Sequence, residues 1–278
     1  MLELTNASLK YQDKQVLSNV NLTIHKHEIV AIVGPNGCGK SSLLNLLSGL
    51  LTPNSGTTTL KGSAMAEWSQ KKLARELSFL TQSPQAPDGM TPRQLTEHGR
   101  FPHQSLLQRL TANDKNIINW AIKQVQLTEL QDQALVRLSG GERQRAWLAM
   151  SLAQQTNILL LDEPTTYLDI GHQHHLLSLL RQLNQQHKKT IVMVLHDINQ
   201  ASQYCDRIIA IKQGKVIADG SPEQVISAQL VKQLFNIDSQ IVSCQYRDQS
   251  KPLCLPNATS NNPLFTDQNS PPALAACV

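Results

Sequence analysis

The sequence predicts an α/β fold: a mostly parallel sheet, an antiparallel β subdomain and an inserted α-helical subdomain. Three observations carry that prediction. The short, nearly continuous apolar runs "EIVAIVG", "ELSFLTQ", "NILLLDEP" and "TIVMVLHD" have the length and composition of strands buried on both faces of a parallel sheet. The opening stretches "LELTNASLKY" and "VLSNVNLTI" instead alternate apolar and polar residues, as half-buried antiparallel strands do. From about Pro84 to Glu142 the apolar residues recur at helical spacing, in "QLTEHG", "NIINWAIKQVQL" and "LTELQDQAL".

Taken in chain order, the antiparallel start gives way to "EIVAIV", then to the glycine-rich "GPNGCGKSS", Gly34 to Ser42, and then to a helix, "LLNLLSGLL". The helical insertion follows. "RIIAIKQGKVIADGS" reads as a hairpin turning on Gln-Gly, and "SPEQVISAQLVKQLF" as one helix with Pro222 in its first turn. From about Gln245 the chain is dense in Pro, Ser, Asn and Gln without a sustained period, so residues 245–278 are expected to form a weakly ordered tail behind a domain spanning 1–244.

With 278 residues the chain can bury a substantial core. Its formal charge of +4 is too small for a dedicated nucleic-acid binder, and no nucleic-acid partner is expected. The N-terminal residues lack the basic, apolar and small-residue regions of a secretion signal. No apolar run approaches the roughly 20 residues that cross a bilayer. Five cysteines without a C-x-x-C pair suit a reducing compartment and speak against structural zinc.

The glycine-rich stretch carries the first chemistry. Gly34, Gly39, Lys40 and Ser41 fit G-x-x-x-x-G-K-[ST], the phosphate-binding loop of P-loop NTPases. Such a loop (Gly34, Pro35, Asn36, Gly37, Cys38, Gly39) turns successive backbone N–H groups toward one concavity, and the helix behind it adds its own free N–H groups and positive dipole end. Lys40 reaches phosphate oxygens as a point charge, the Ser41 hydroxyl suits the oxygen shell of Mg²⁺, and Ser42 donates to an inner phosphate. Cys38, beside Lys40 and a helix N-terminus, is expected to favour the thiolate.

Asp162 and Glu163 follow "ILLL" and so project from the carboxyl end of a buried strand, where α/β proteins place ligands. The first suits Mg²⁺, the second the proton of an attacking water. "LSGGERQR", Leu138 to Arg145, places Ser139, Gly140 and Gly141 at a helix start, a second anion site made of backbone N–H groups.

With these motifs in order, the chain from Tyr11 to about Val242 resembles the ATP-binding subunits of ABC transporters, in which "LSGGE" is the signature. The shared features are the loop 34–42, Gln82 after "SFLT", the signature 138–142, "ILLLDE", "TTYLD" and His196 after "TIVMVL". The resemblance implies an ABC ATPase fold with ATP and Mg²⁺ as ligands. It implies that Tyr11 stacks on adenine, that Gln82 ligates Mg²⁺ or the attacking water, and that His196 positions that water with Glu163. Two cassettes would pack head to tail, Ser139 and Gly141 of one closing over ATP held by Lys40 of the other, with Asp169 at the dimer contact. Many members have glutamine where this chain has Glu142, and glutamate also occurs there.

"GRFPHQSLLQR", "DEPTTYLDIGHQ" and "HDINQASQYCDRIIAIKQGK" look like the ATPases of bacterial importers for ferric siderophores, haem and vitamin B12. The expectation is ferric-siderophore import, by a homodimer docked through the helical insertion on two transmembrane permease subunits. The homodimer would sit peripherally at the cytoplasmic face of the inner membrane and serve a periplasmic binding protein indirectly. A soluble P-loop kinase has no need of the signature, a chromosome-maintenance ATPase would carry coiled-coil heptads, and a translation-associated protein two cassettes. His172, His174 and His175 in "GHQHH" begin a helix and are not expected to bind iron.

Overall fold

The structure, a computed structural model, describes residues 1–82, 87–105, 109–246 and 249–257. Strands β1 (Leu2–Tyr11) and β2 (Lys14–Ile24) alternate buried and exposed residues and pair antiparallel. Strand β3 (Ile29–Val33), buried throughout, feeds the glycine-rich loop and then α1 (Lys40–Ser48). Strands β4 (Ser55–Leu60) and β5 (Ser63–Ala64) extend the antiparallel sheet, and α2 (Gln70–Glu76) runs into β6 (Leu77–Leu80). Helices α3 (Pro92–His98), α4 (Ala112–Gln124) and α5 (Gly140–Ala153) follow, the first two starting on threonine caps and the third on Ser139. Then come β7 (Ile158–Leu161), α6 (Ile170–His187), β8 (Thr190–Val194), α7 (Ile198–Tyr204), β9 (Arg207–Lys212) and β10 (Lys215–Gly220). The chain continues through α8 (Pro222–Val225), α9 (Ala228–Phe235), β11 (Ser239–Tyr246) and β12 (Gln249–Pro256).

The central sheet has the order β10-β9-β3-β8-β7-β6, parallel except for the edge hairpin β9–β10. Period-two alternation divides the sheet's residues between two cores. Ile29, Ala31 and Val33 of β3 face the layer that holds α3 to α7, while Val30 and Ile32 face α1 and the antiparallel sheet β2-β1-β4-β5. That burial on both faces is why the central strands read as unbroken apolar runs. The Gln-Gly hairpin forms as expected, with Gln213 and Gly214 both at positive φ, 49° and 73°, as a two-residue turn requires.

Inside the helical insertion one buried ion pair joins three segments. Arg100 and Asp114, 4 % and 6 % exposed, meet at 2.8 Å between Nε and Oδ1, and Arg100 also donates to the Ala153 carbonyl at the end of α5. Asp114 accepts in addition from the Thr111 amide and hydroxyl, so one carboxylate both caps α4 and holds the arginine.

Three expectations need correction. "LTELQDQAL" forms two short 3-10 turns, Thr128–Leu130 and Leu135–Arg137, because Leu127 and Leu135 are buried from separate turns of chain. "SPEQVISAQLVKQLF" is two helices. Ile226 is extended, and the Ser227 hydroxyl accepts from the Leu230 amide, starting α9 anew. The tail does not begin at Gln245, because residues 249–256 form β12 against β11. Cys254 is buried there, its amide and carbonyl both bonded to Asn199 of α7, and Ser202 donates to the Pro252 carbonyl. The expected start of the insertion at Pro84 and the residues beyond Asn257 lie outside the described residues.

Candidate active site

The strand order assembles the site. In the central sheet β3, β8, β7 and β6 are consecutive parallel neighbours, and their carboxyl ends carry the loop 34–39, His196, Asp162 with Glu163, and Gln82. Residues far apart in sequence are thereby set side by side at one edge. A cavity of about 420 Å³ opens there, lined by Asn36, Gly37, Gly39, Lys40, Ser41, Ser42, Gln82, Glu163, His196 and Val16. A larger cavity, about 610 Å³, lies between α4, α5 and α6 and contains none of the motif residues.

Two of the loop's three glycines are held by contacts that leave no room for a side chain. A Cβ on Gly34 would lie 2.2 Å from the Ile211 carbonyl oxygen, and one on Gly39, whose φ is 108°, 2.9 Å from Leu17. Lys40 is 5 % exposed and donates to the carbonyls of Gly34 and Pro35, both at 2.9 Å, so its ammonium is fixed across the loop with one donor left. Ser41 Oγ donates to Asp162 Oδ1 at 3.1 Å. Burial pushes the Asp162 carboxyl up, the Ser41 hydroxyl pulls against it, and the neighbouring Glu163 carboxylate pushes it further. The buried Asp162 carboxylate and the Ser41 hydroxyl, with Gln82 among the residues lining the adjoining cavity, offer oxygen donors of the kind a hard divalent cation takes.

Glu163 is the centre of the arrangement. Its backbone leaves β7 at a φ of 53°, a left-handed conformation rare for glutamate and one that turns its side chain into the cavity. Gln82 Nε2 donates to Oε2 at 2.6 Å, Thr166 Oγ1 donates to the same oxygen at 3.2 Å, and His196 Nε2 stands 2.7 Å from Oε1. One carboxylate is thus fixed from three sides, with the imidazole half exposed at the mouth.

Other motif residues lie elsewhere. Ser139, Gly140 and Gly141 begin α5 and Asp169 caps α6, forming a second cluster. A Cβ on Gly141 would meet the Tyr167 carbonyl at 3.2 Å, so the "TTYLD" turn packs on the signature. Tyr11, at the end of β1, is half exposed and is not among the cavity's lining residues. Val16 and Thr166 were not singled out from the sequence. Thr166 was legible as the hydroxyl three residues after Glu163, whereas an apolar strand residue such as Val16 carries no signal.

The expected reactive thiolate at Cys38 is overturned. Its side chain is 6 % exposed and points back against Gly34, and burial pushes the thiol up despite the opposing pull of Lys40. Among the described residues no group of three or more His, Cys, Asp or Glu side chains could hold a metal, and the "GHQHH" histidines bond to Asp169, Tyr204 and the Gln124 carbonyl. No helix among the described residues is long and apolar enough to cross a membrane.

The ABC transporter family model matches residues 17–166. Among curated relatives, "Probable siderophore transport system ATP-binding protein YusV" of Bacillus subtilis is 46 % identical over 250 residues, 90 % of each chain. The iron(3+)-hydroxamate import ATP-binding protein FhuC of the same organism is 43 % identical over 245 residues, 88 % of this chain and 90 % of its own. Among solved structures, the dimeric structure of a bacterial ABC transporter cassette superposes with a TM-score of 0.73 at 29 % identity, over 80 % of this chain and 98 % of that one. The motif order, the sheet that brings those motifs together and the similarity over most of the chain lead to one conclusion: this chain belongs to the ABC transporter family.

Proposed function

We propose that this chain is the ATP-hydrolysing subunit of a bacterial ABC importer that energises uptake of ferric siderophore across the cytoplasmic membrane. The observation that carries the hydrolytic reading is Glu163, held by Gln82, Thr166 and His196 at the mouth of the phosphate-loop cavity. The N–H groups of the loop and the Lys40 ammonium hold the triphosphate. Bound Mg²⁺ would be held by Ser41, Asp162 and Gln82 and would supply charge neutralisation at the phosphate oxygens. Glu163 accepts a proton from a water while that water's oxygen forms a bond to the γ-phosphorus and the bond to the β–γ bridging oxygen breaks. His196 and Gln82 keep the carboxylate aimed at that water. Tyr11 stacks on the adenine.

Two copies pack head to tail, Ser139, Gly140, Gly141 and Asp169 of one facing the nucleotide of the other. The dimeric form of the similar cassette supports this arrangement. The homodimer docks on two transmembrane permease subunits at the cytoplasmic face of the membrane, and ATP drives them because it binds the closed dimer better than the open one. The cargo reading is supported by the relatives named for siderophore and iron(3+)-hydroxamate transport. It is tested by deleting the gene and measuring uptake of labelled ferric siderophore, haem and vitamin B12. Loss of ferric-siderophore uptake, restored by the wild-type gene and not by Lys40→Ala, is expected. Loss confined to haem or vitamin B12 would change the cargo, and unchanged uptake of all three would remove the importer.

A further inference from the structure

We infer that Glu142 is a built-in anion on the signature, a positioning residue that occupies the Ser139 donors until the nucleotide of the opposing subunit displaces it. The inference rests on the head-to-tail dimer proposed above. A single oxygen, Glu142 Oε2, accepts from both the Ser139 amide and the Ser139 hydroxyl, each at 2.8 Å. Those are the donors that the dimer needs at a phosphate. The contact is at the surface: Ser139 is exposed and Glu142 only half-buried.

The contact is also a capping box, and three other boxes among the described residues show what a cap alone needs. Those at α3 and α8 are built with neutral Gln94 and Gln224. The one at α4 uses Asp114, whose charge is matched by Arg100. Of these four boxes, the one at α5 alone uses a carboxylate with no cation within ion-pair distance among the described residues. The Ser139 amide and hydroxyl, helped by the more distant Arg145 and His172, hold the Glu142 carboxyl below its ordinary range, so it stays ionised at neutral pH. A glutamine would cap the helix as well. The extra negative charge opposes an incoming triphosphate and fills its donors, so it raises the ATP concentration at which the dimer closes.

The test uses the full chain in the Glu163→Gln background, where the ATP-bound dimer should accumulate, with light scattering against Mg-ATP concentration. Glu142→Gln should lower the half-dimerisation concentration by about fivefold, since it removes one unit of repulsion near the interface. Because the lowered Glu142 carboxyl contributes to folding, the urea midpoint of the nucleotide-free protein should fall slightly and not rise, so tighter dimerisation despite a weaker fold is the result that a purely structural role for the charge would not give. Glu142→Ala, which removes the surrogate altogether, should lower the half-dimerisation concentration too, although it weakens the cap. An unchanged concentration in Glu142→Gln overturns the inference and leaves the dimer standing. Failure of the Glu163→Gln protein to dimerise at any Mg-ATP concentration overturns the dimer reading and the inference with it.

Discussion

Replacing Asp114 with asparagine isolates the charge of the ion pair that ties the helical insertion together. The amide oxygen can still accept from the Thr111 amide, so the α4 cap largely survives, while Arg100 loses its counter-ion. Both partners are nearly inaccessible, at 4 % and 6 % exposure, so water cannot replace the lost carboxylate. Removing one member of a buried pair typically costs about 3 to 5 kcal/mol. Because the Ala153 carbonyl still accepts from Arg100, about 3 kcal/mol is expected here. The Thr111 hydroxyl and amide, with Arg100, hold the Asp114 carboxyl at about 2 against an ordinary 3.8. A carboxyl lowered on folding contributes fully above its unfolded pKa, and that contribution is lost as the pH falls toward the folded value. The deficit of Asp114→Asn should therefore be full at neutral pH and shrink as the pH drops from about 4 toward 2. Urea denaturation of both proteins across that range measures it. A deficit below about 1 kcal/mol at neutral pH, or one that does not change with acid, refutes the reasoning.

Three further outcomes follow from the geometry. His196→Ala should lower the turnover number by about a hundredfold while leaving the ATP dissociation constant within a few-fold, measured by phosphate release and nucleotide titration, because His196 orients the base. Buried Cys38 should react with iodoacetamide at least about tenfold more slowly than exposed Cys244, with peptide mapping as the readout. Truncation after Gln245 should lower stability by about 3 kcal/mol or more in chemical denaturation. It removes both Asn199 bonds to Cys254 and the Ser202 bond to Pro252, and exposes the α7 face that they cover.

The parts of this molecule that were legible in the sequence are those fixed by local rules. The loop 34–42 could be placed because its glycines, lysine and serine sit at fixed spacing on one strand–helix junction. The central strands could be placed because burial on both faces leaves no polar residue in "IVAIV" or "ILLL". The meeting of Gln82, Glu163 and His196 was beyond local rules. Gln82 lies 81 residues from Glu163, and their contact exists only because β6, β7 and β8 are neighbours, a matter of sheet order. The thiol direction of Cys38 depends on a loop turned by positive-φ glycines. Strand β12 was hidden because "QSKPLCLP" has only Leu253, Cys254 and Leu255 to mark it, and what fixes it is non-local: its ladder with β11 and its polar contacts with Asn199 and Ser202. The break at Ser227 was hidden in turn by an apolar period that runs through it.

The most direct test of the account is phosphate release by the purified Glu163→Gln protein with Mg-ATP. The amide keeps the shape of the side chain but cannot take a proton from water. Hydrolysis should fall by about a hundredfold or more, with ATP binding retained and an ATP-dependent dimer accumulating. Hydrolysis near the wild-type rate would contradict it.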